Sequence, residues 1–435
     1  MKKLLILSMA LCGALNFAAA QDTVKQQRFN LHFQQTIITQ TKPGFAAKYS
    51  GQNSLSDLSE TATSLTTTFY GGARLWKGAQ VYFNPEMSGG AGFSKTLGVA
   101  GFPNGETFRV GGDAPKIYIA RLYYTQNFEW GAEKDTLADE ANQLAGTLSK
   151  RHFSFTIGKF GMADYFDQNS YSHDPRTQFM NWSLMSNGAW DYPANTRGYV
   201  MGLYTEYAQP TWTLRFAFTM STTEANGAIW DQKIGRANTQ TLEFEKRYNI
   251  NGKPGAFRVL GFRNIGKMGS YRAAINRNPT APVVDTLLHY GKRKFGFGLN
   301  AEQSITNDLG VFAKLSWNDG KTETFYFTEI DRSLSFGGVL KGTSWERTDD
   351  ELGLAFVANG LSAPHRDYLA AGGYGFIIGD GQLNYSHELI GELYYKVRAS
   401  KAIWISPGYQ FIANPAYNKD RGPVNVFSAR VHVEF

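Results

Sequence analysis

Along much of the chain, large apolar and polar side chains alternate with a period of two. In 212–220, Trp212, Leu214, Phe216, Phe218 and Met220 share one face, against Thr213, Arg215, Ala217 and Thr219. Phe153, Phe155 and Ile157 oppose Ser154, Thr156 and Gly158, and Phe295, Phe297, Leu299 and Ala301 oppose Gly296, Gly298, Asn300 and Glu302. Leu389, Leu393, Tyr395 and Val397 oppose Glu388, Glu392, Lys396 and Arg398. The last residues repeat the scheme, with Phe427, Ala429, Val431, Val433 and Phe435 on one face and Ser428, Arg430, His432 and Glu434 on the other. Side chains of a strand point alternately to its two faces, so these segments predict strands with one apolar face. A soluble sandwich would alternate in the same way. The terminal Phe435 and the aromatics recurring at strand ends favour an antiparallel transmembrane β-barrel of the outer-membrane kind.

Alternating segments number about sixteen, starting near 29, 64, 78, 116, 151, 197, 211, 240, 255, 294, 309, 321, 350, 387, 400 and 425, an even count as bacterial barrels have. Residues 255–265 alternate poorly because Arg258 and Arg263 fall on opposite faces, which leaves a count of eighteen open. Connectors alternate between tight turns (Trp76-Lys77-Gly78, Gln209-Pro210, Gly252-Lys253-Pro254-Gly255, Thr306-Asn307-Asp308, Ala399-Ser400-Lys401) and long stretches at 41–63, 87–115, 161–196, 222–239, 266–293 and 360–386. Short periplasmic turns and long extracellular loops are the expected arrangement. Residues 129–150, with Leu137, Ala141, Leu144 and Leu148 at helical spacing, predict a short amphipathic helix on the short-turn side, a lid or a gate.

The N-terminus agrees with this compartment. Met1-Lys2-Lys3, the apolar run Leu4 to Phe17, and Ala18-Ala19-Ala20 before Gln21 read as a signal peptide over 1–20, leaving 21–435 as one barrel domain. Cys12, the only cysteine, lies in that segment, so neither a disulfide nor a cysteine-based metal site is expected in the mature chain. The 46 glycines, 31 phenylalanines and 23 tyrosines, with a mean hydropathy of −0.34, exclude a helical membrane bundle. The net charge of +7, reduced to +5 without Lys2 and Lys3, is spread along the chain and offers no nucleic-acid patch. Roughly ten residues between Gln21 and the first strand leave no room for a plug domain of an energy-coupled transporter.

With apolar faces outward, the lumen receives Arg74, Arg121, Arg215, Glu243, Glu245, Glu302, Lys314, Glu388, Glu392, Lys396, Arg398, Arg430 and His432. Rings of one sign select the opposite ion. A mixed wall favours neither sign and supplies many donors and acceptors, which suits a neutral polyhydroxyl solute. The segment 161–196 is too long and too aromatic to stand in solvent, and is expected to fold inward as a constriction loop.

That loop also carries a family signature. Phe166-Asp167, Asp174-Pro175-Arg176-Thr177-Gln178-Phe179, Asn187-Gly188-Ala189-Trp190-Asp191-Tyr192-Pro193 and Thr196-Arg197-Gly198-Tyr199 resemble the carbohydrate-selective porins related to the Pseudomonas glucose porin. The ending Ser406-Pro407-Gly408-Tyr409-Gln410-Phe411-Ile412, with Asn414-Pro415 and Asp420-Arg421-Gly422-Pro423-Val424, looks like that family's ending too. The resemblance implies a sixteen-stranded barrel in a Gram-negative outer membrane, passing neutral mono- and small oligosaccharides by diffusion. It implies Asp167, Asn169, Asp174, Arg176, Asn181, Trp182, Asn187, Trp190, Asp191 and Arg197 as the constriction or its support. Carboxylates and guanidinium groups pair with vicinal hydroxyls, and indole or phenol rings pack on pyranose faces. Asp174-Pro175-Arg176 and Asp191-Tyr192-Pro193 also have turn chemistry, which assigns part of the set to shaping the loop. No cofactor or metal is expected. The expected partners are sugars, outer-membrane lipid and the barrel-assembly machinery, the last through the C-terminal strand; a homotrimer and a monomer both remain compatible. The alternatives are a general porin, an acidic-polysaccharide porin, disfavoured by the Glu243/Glu245 and Glu388/Glu392 pairs, and a barrel enzyme, for which no nucleophile motif is present.

Overall fold

A computed structural model describes residues 26–107 and 114–435; the expected signal peptide and Cys12 lie outside this range. Sixteen strands follow in order: β1 (Phe29–Lys42), β2 (Glu60–Trp76), β3 (Ala79–Gly90), β4 (Lys116–Leu137), β5 (Gly146–Phe160), β6 (Val200–Gln209), β7 (Trp212–Met220), β8 (Asn238–Ile250), β9 (Lys253–Met268), β10 (His289–Ser304), β11 (Leu309–Asn318), β12 (Arg332–Gly342), β13 (Arg347–Gly360), β14 (Glu388–Arg398), β15 (Ile403–Ala413) and β16 (Val424–Glu434). Each pairs antiparallel with its neighbours in sequence, and β1 pairs with β16 to close the barrel. Closure pairs every edge, which is the condition for strands in lipid.

The period of two sets the two surfaces. Leu214, Phe216, Phe295, Leu389, Leu393 and Phe427 are exposed on the outside, whereas Glu243, Lys314, Glu388, Glu392 and Arg430 are buried within. Register brings inward charges face to face, Arg215 lying opposite Glu206 on β6 and Glu243 on β8. Asn251 and Gly252, at φ 52° and 77°, form the β8–β9 turn, the left-handed pair that a two-residue hairpin requires. An aromatic girdle marks this short-turn rim, where Tyr207 lies 5.6 Å from both Trp130 and Trp212. At the other rim are long connections: L1 (43–59), L2 (91–115), L3 (161–199), L4 (221–237), L5 (269–288), L6 (319–331), L7 (361–387) and L8 (414–423).

Two expectations are corrected. Residues 129–150 form no helix: β4 and β5 continue as a paired hairpin, with Trp130 opposite Arg151 and Thr136 opposite Thr147. Leu137 ends β4, Leu144 lies in the tip and Leu148 in β5, so their helical spacing runs across a turn and reports no single face; a bulge between Trp130 and Lys134, with Gly131 at φ 83°, also interrupts the alternation of the hairpin. The hairpin tip is tied to the start of β1, Asp139 accepting from Gln27 (2.8 Å) and Asn30 (2.9 Å). The second correction concerns the strand expected near 321: β12 begins at Arg332, and 321–331 lie in L6, where Phe325, Tyr326, Phe327 and Ile330 are buried. The count is sixteen rather than eighteen, and the poor alternation of 255–265 reflects an inward Arg258 paired with Glu245 and Glu302.

Phe33 and Phe435 exchange backbone hydrogen bonds of 2.9 and 3.1 Å. The next pair, Gln34 and Glu434, is therefore the closely approaching, non-hydrogen-bonded kind. A Gln34→Cys/Glu434→Cys double variant should form an intramolecular disulfide that joins the two ends of the chain, read as a reductant-sensitive shift of the heat-denatured band on electrophoresis. Absence of that shift under oxidising conditions would contradict closure in this register.

Candidate functional site

L3 leaves β5 and folds into the barrel, carrying backbone groups that must find partners away from bulk water. Inward side chains of the second half of the barrel supply them. Glu243 accepts from Asp167 N (2.8 Å), Glu302 from Ser170 N (2.6 Å), and Glu392 from Met180 N (2.7 Å) and Asn181 N (2.9 Å). Carbonyls are met by cations: Lys314 donates to Ser172 O (2.8 Å), and Arg430 to Pro175 O (2.8 Å) and Gln178 O (2.6 Å). Glu388 holds L2 and L8, accepting from Ala100 N (3.0 Å), Gly101 N (2.7 Å) and Ala416 N (2.8 Å).

Several loop residues singled out in the sequence sit at these attachments. Asp167, at φ 55°, accepts from Asn187 N (2.6 Å), Asn187 Nδ2 (2.7 Å) and Asn300 Nδ2 (2.7 Å), with Lys314 at 3.5 Å. Asn169 donates to Asn300 Oδ1 (2.7 Å) and accepts from Tyr171 N. Asn181 caps the short helix Trp182–Met185 and donates to Gly101 O (2.8 Å) and Gln410 Oε1 (3.0 Å). Asp191 accepts from Phe325 N (2.9 Å) and Tyr326 N (3.0 Å) and pairs with Lys294 at 3.4 Å, binding L6 to L3.

Trp182 and Trp190 are both 0% exposed. Trp182 stacks on Phe102 at 4.8 Å and meets Phe327 at 5.3 Å; Trp190 packs on Tyr192 at 5.2 Å. These rings form a core between L2, L3 and L6, shielded from solute. Above it, His365 of L7 stacks on Tyr271 of L5 at 4.4 Å and pairs with Asp331 of L6 at 2.9 Å. Burial opposes ionisation of Asp331, but its His365 partner outweighs this and holds the carboxyl down at about 2.

The attachments leave L3 facing β1 to β6 across a slot bridged by polar side chains. Arg176 spans it, donating to Glu106 of L2 (2.8 Å), Gln34 of β1 (2.6 Å) and Glu86 of β3 (3.2 Å). Asp174 precedes it in an Asx turn, accepting from Arg176 N at 2.9 Å. Glu86 also accepts from Thr68 (2.6 Å), Tyr118 (2.6 Å) and Tyr199 (2.9 Å). Arg121 grips Asp164 with two bonds of 2.7 and 2.5 Å and lies 5.2 Å from the Tyr199 ring. Arg197 lies 4.7 Å from the Tyr118 ring and donates to Ser88, and Lys159 sits 5.7 Å from Tyr199. Asp164 keeps 26% of its side chain exposed and Arg121 and Arg176 each keep 14%, while the side chains of Glu86, Glu106 and Tyr199 beside them are buried. Arg215 braces the adjoining wall against Glu206 (2.9 Å), Glu243 (2.9 Å) and Glu245 (3.2 Å). Arg74 lies nearer the short-turn rim and donates to Gln27 O.

Electrostatics in the slot follow from this pairing. Burial pushes the Glu106 carboxyl above the usual range, only partly resisted by Arg176. Burial also works against Asp174, but the Arg176 charge and backbone N–H bring it below the usual range. Glu86, Glu106, Tyr118, Lys159 and Asp164 were not singled out in the sequence. Glu86 has inward parity on its strand, a usable signal; Lys159 shares the outward parity of Phe155 and Ile157, and its Nζ donates to Ile119 O at the end of β5, so parity points away from it. Glu106 lies in a loop whose path no periodicity reveals.

Removing the Glu392 carboxylate orphans two buried amides, each costing about 1–3 kcal/mol. Glu392→Ala should therefore loosen L3 and raise single-channel conductance in planar bilayers while the heat-modifiable barrel persists. Unchanged conductance and gating noise would contradict the anchoring role.

Comparison with known proteins bears on this geometry. The family model described as "Carbohydrate-selective porin, OprB family" matches residues 52–435. Among solved structures, Pseudomonas putida OprB in a high-pH form superposes with a TM-score of 0.70 at 16% identity, covering 94% of each chain. Salmonella typhi OmpF in complex with daunomycin gives 0.50 at 9% identity, covering 94% of this chain and 98% of that one. These two likenesses concern the fold. No curated protein sequence matches significantly. With the family model spanning nearly all of the barrel, the chain belongs to the carbohydrate-selective porin, OprB family, and is a carbohydrate channel of the Gram-negative outer membrane.

Proposed function

We propose that the solute path is the slot between L3 and β1 to β6, and that it passes neutral mono- and small oligosaccharides by diffusion. The observation that carries this reading is the mixing of both signs: Arg121, Arg176 and Arg197 stand there among Glu86, Glu106, Asp164 and Asp174. A ring of one sign would favour its counterion. Paired groups instead present donors and acceptors in fixed relation, suited to vicinal hydroxyls, while the half-buried Tyr118 offers a ring flanked by Arg197. Asp174, Arg176 and Arg197 contact solute in this reading, whereas Asp167, Asn169, Asn181, Trp182, Asn187, Trp190 and Asp191 set the position of the loop. Binding stays weak because the slot groups satisfy one another before a sugar arrives, and a solute must leave as readily as it enters. The channel performs passage without bond-making chemistry. Its terminal strand, ending at Phe435, is the segment offered to the barrel-assembly machinery.

In planar bilayers, added neutral sugar should lower ionic conductance reversibly, and Arg176→Ala should weaken that block about tenfold, as expected for losing a charge-assisted contact. The same substitution leaves Glu86 and Glu106 without their shared cation, so selectivity should shift toward cations. A channel that no neutral sugar blocks would overturn the reading.

The raised Glu106 makes a pH prediction. Its proton leaves above the ordinary carboxylate range, and each departure adds negative charge to the slot. The cation-to-anion permeability ratio, read from reversal potentials, should rise with pH across that interval, and Glu106→Gln should flatten this component. A profile identical in the variant would remove Glu106 from the path.

A further inference from the structure

We propose that the lipid-facing surface of β9 to β14 is a binding site for a phosphorylated, acylated lipid of the outer leaflet. On β1 and β2 the outward rows near the long-loop rim carry neutral threonines, Thr39 and Thr41 beside Thr61 and Thr63. On this sector they carry arginines instead. Arg263 lies opposite Phe295 of β10, Arg293 follows two positions farther up, and Arg332 lies opposite Trp317. Phe295, Phe297, Leu334 and Phe336 are exposed on the same face, which fixes the outward direction. Among the described residues none of these three arginines has an ion-pair or side-chain hydrogen-bond partner, and Arg263 Nε is buried without one. Inward arginines differ: Arg121, Arg176, Arg215 and Arg258 all meet carboxylates.

A cation facing lipid is costly in the apolar band and favourable at headgroup level beside anions. Position along the strands places these arginines at the long-loop end, hence at the outer-leaflet surface. Below them the wall is concave. Two cavities of ≈ 580 and ≈ 550 Å³ adjoin along the outer surface and share Leu334 and Ala358, the first rimmed by Arg332 and His387. Small outward residues, Ala358 and Gly391, make the depression between larger neighbours such as Trp317 and Phe356. Phosphates at the arginine rim and acyl chains in the groove satisfy both halves of the surface. Pairing of this face with itself in a second copy would set cations against cations, which disfavours that occupant.

The test uses the full barrel in detergent micelles, titrated with bisphosphorylated lipid A and followed by native mass spectrometry. The wild type should retain lipid A, retain dephosphorylated lipid A less well, and release it as salt rises from low to high ionic strength. Inorganic phosphate should not compete, since the groove holds the acyl part. An Arg263→Ser/Arg293→Ser/Arg332→Ser variant should bind about tenfold or more weakly, given the contribution of each cation at a membrane surface. Ala358→Trp, which fills the groove and leaves the arginines, should also bind more weakly. Heat-modifiable migration and unchanged sugar block show that both variants keep the barrel. Equal lipid A binding by the triple variant, indifference of the wild type to phosphate removal or salt, or an oligomer that dissociates on Ala358→Trp would each overturn the proposal.

Discussion

A loop that folds into a membrane pore takes its backbone amides and carbonyls with it, and each must find a partner. That requirement organises this barrel. Glu243, Glu302, Glu388 and Glu392 accept from loop N–H groups, and Lys314 and Arg430 donate to loop carbonyls. Leaving one such amide orphaned costs about 1–3 kcal/mol, and a buried charge without its partner costs about 3–5. The charged inner wall of β8 to β16 is therefore chiefly a seat for the loops. What remains turned to the solute is the opposite wall and one edge of L3.

This division also sorts the aromatic residues. Indoles and phenyls of L2, L3 and L6 close on one another, with Trp182 between Phe102 and Phe327 and Tyr192 beside both tryptophans. They give the constriction a rigid back. Tyr118 and Tyr199 stand at its front, their hydroxyls on Glu86 and their rings beside guanidinium groups. A rigid back and a polar front let a narrow passage keep its shape without binding tightly.

The barrel was legible in the sequence because lipid on one side and polar contents on the other impose a strict alternation, as Trp212 to Met220 and Phe427 to Phe435 display. Legibility failed where that demand lapses. The hairpin at 129–150 extends past the rim, and its leucines are divided between β4, the tip and β5, so they do not report one face. The aromatic run Phe325-Tyr326-Phe327 has strand-like composition but is buried by loop packing. Within L3, Asp167 and Asp174 have the same chemistry and similar neighbours in the chain. What separates anchor from slot edge is Asn300 and Lys314 beside the first and Arg176 beside the second. The first pair of contacts spans well over a hundred residues, which no local pattern encodes.

The attachments of L3 have a consequence for the order of events during assembly. The loop follows β5, yet Glu243, Asn300, Lys314, Glu392 and Arg430 belong to strands made later. L3 therefore cannot be fully seated until strands round to β16 stand in the wall, and its residues 175–178 are bonded to both sides of the closing seam, to Arg430 of β16 and Gln34 of β1. Seating this part of the loop and sealing the wall are coupled, whichever strand is placed first. A barrel open at that seam would lack one of the two attachments, so permeability control and barrel completion mature as one step.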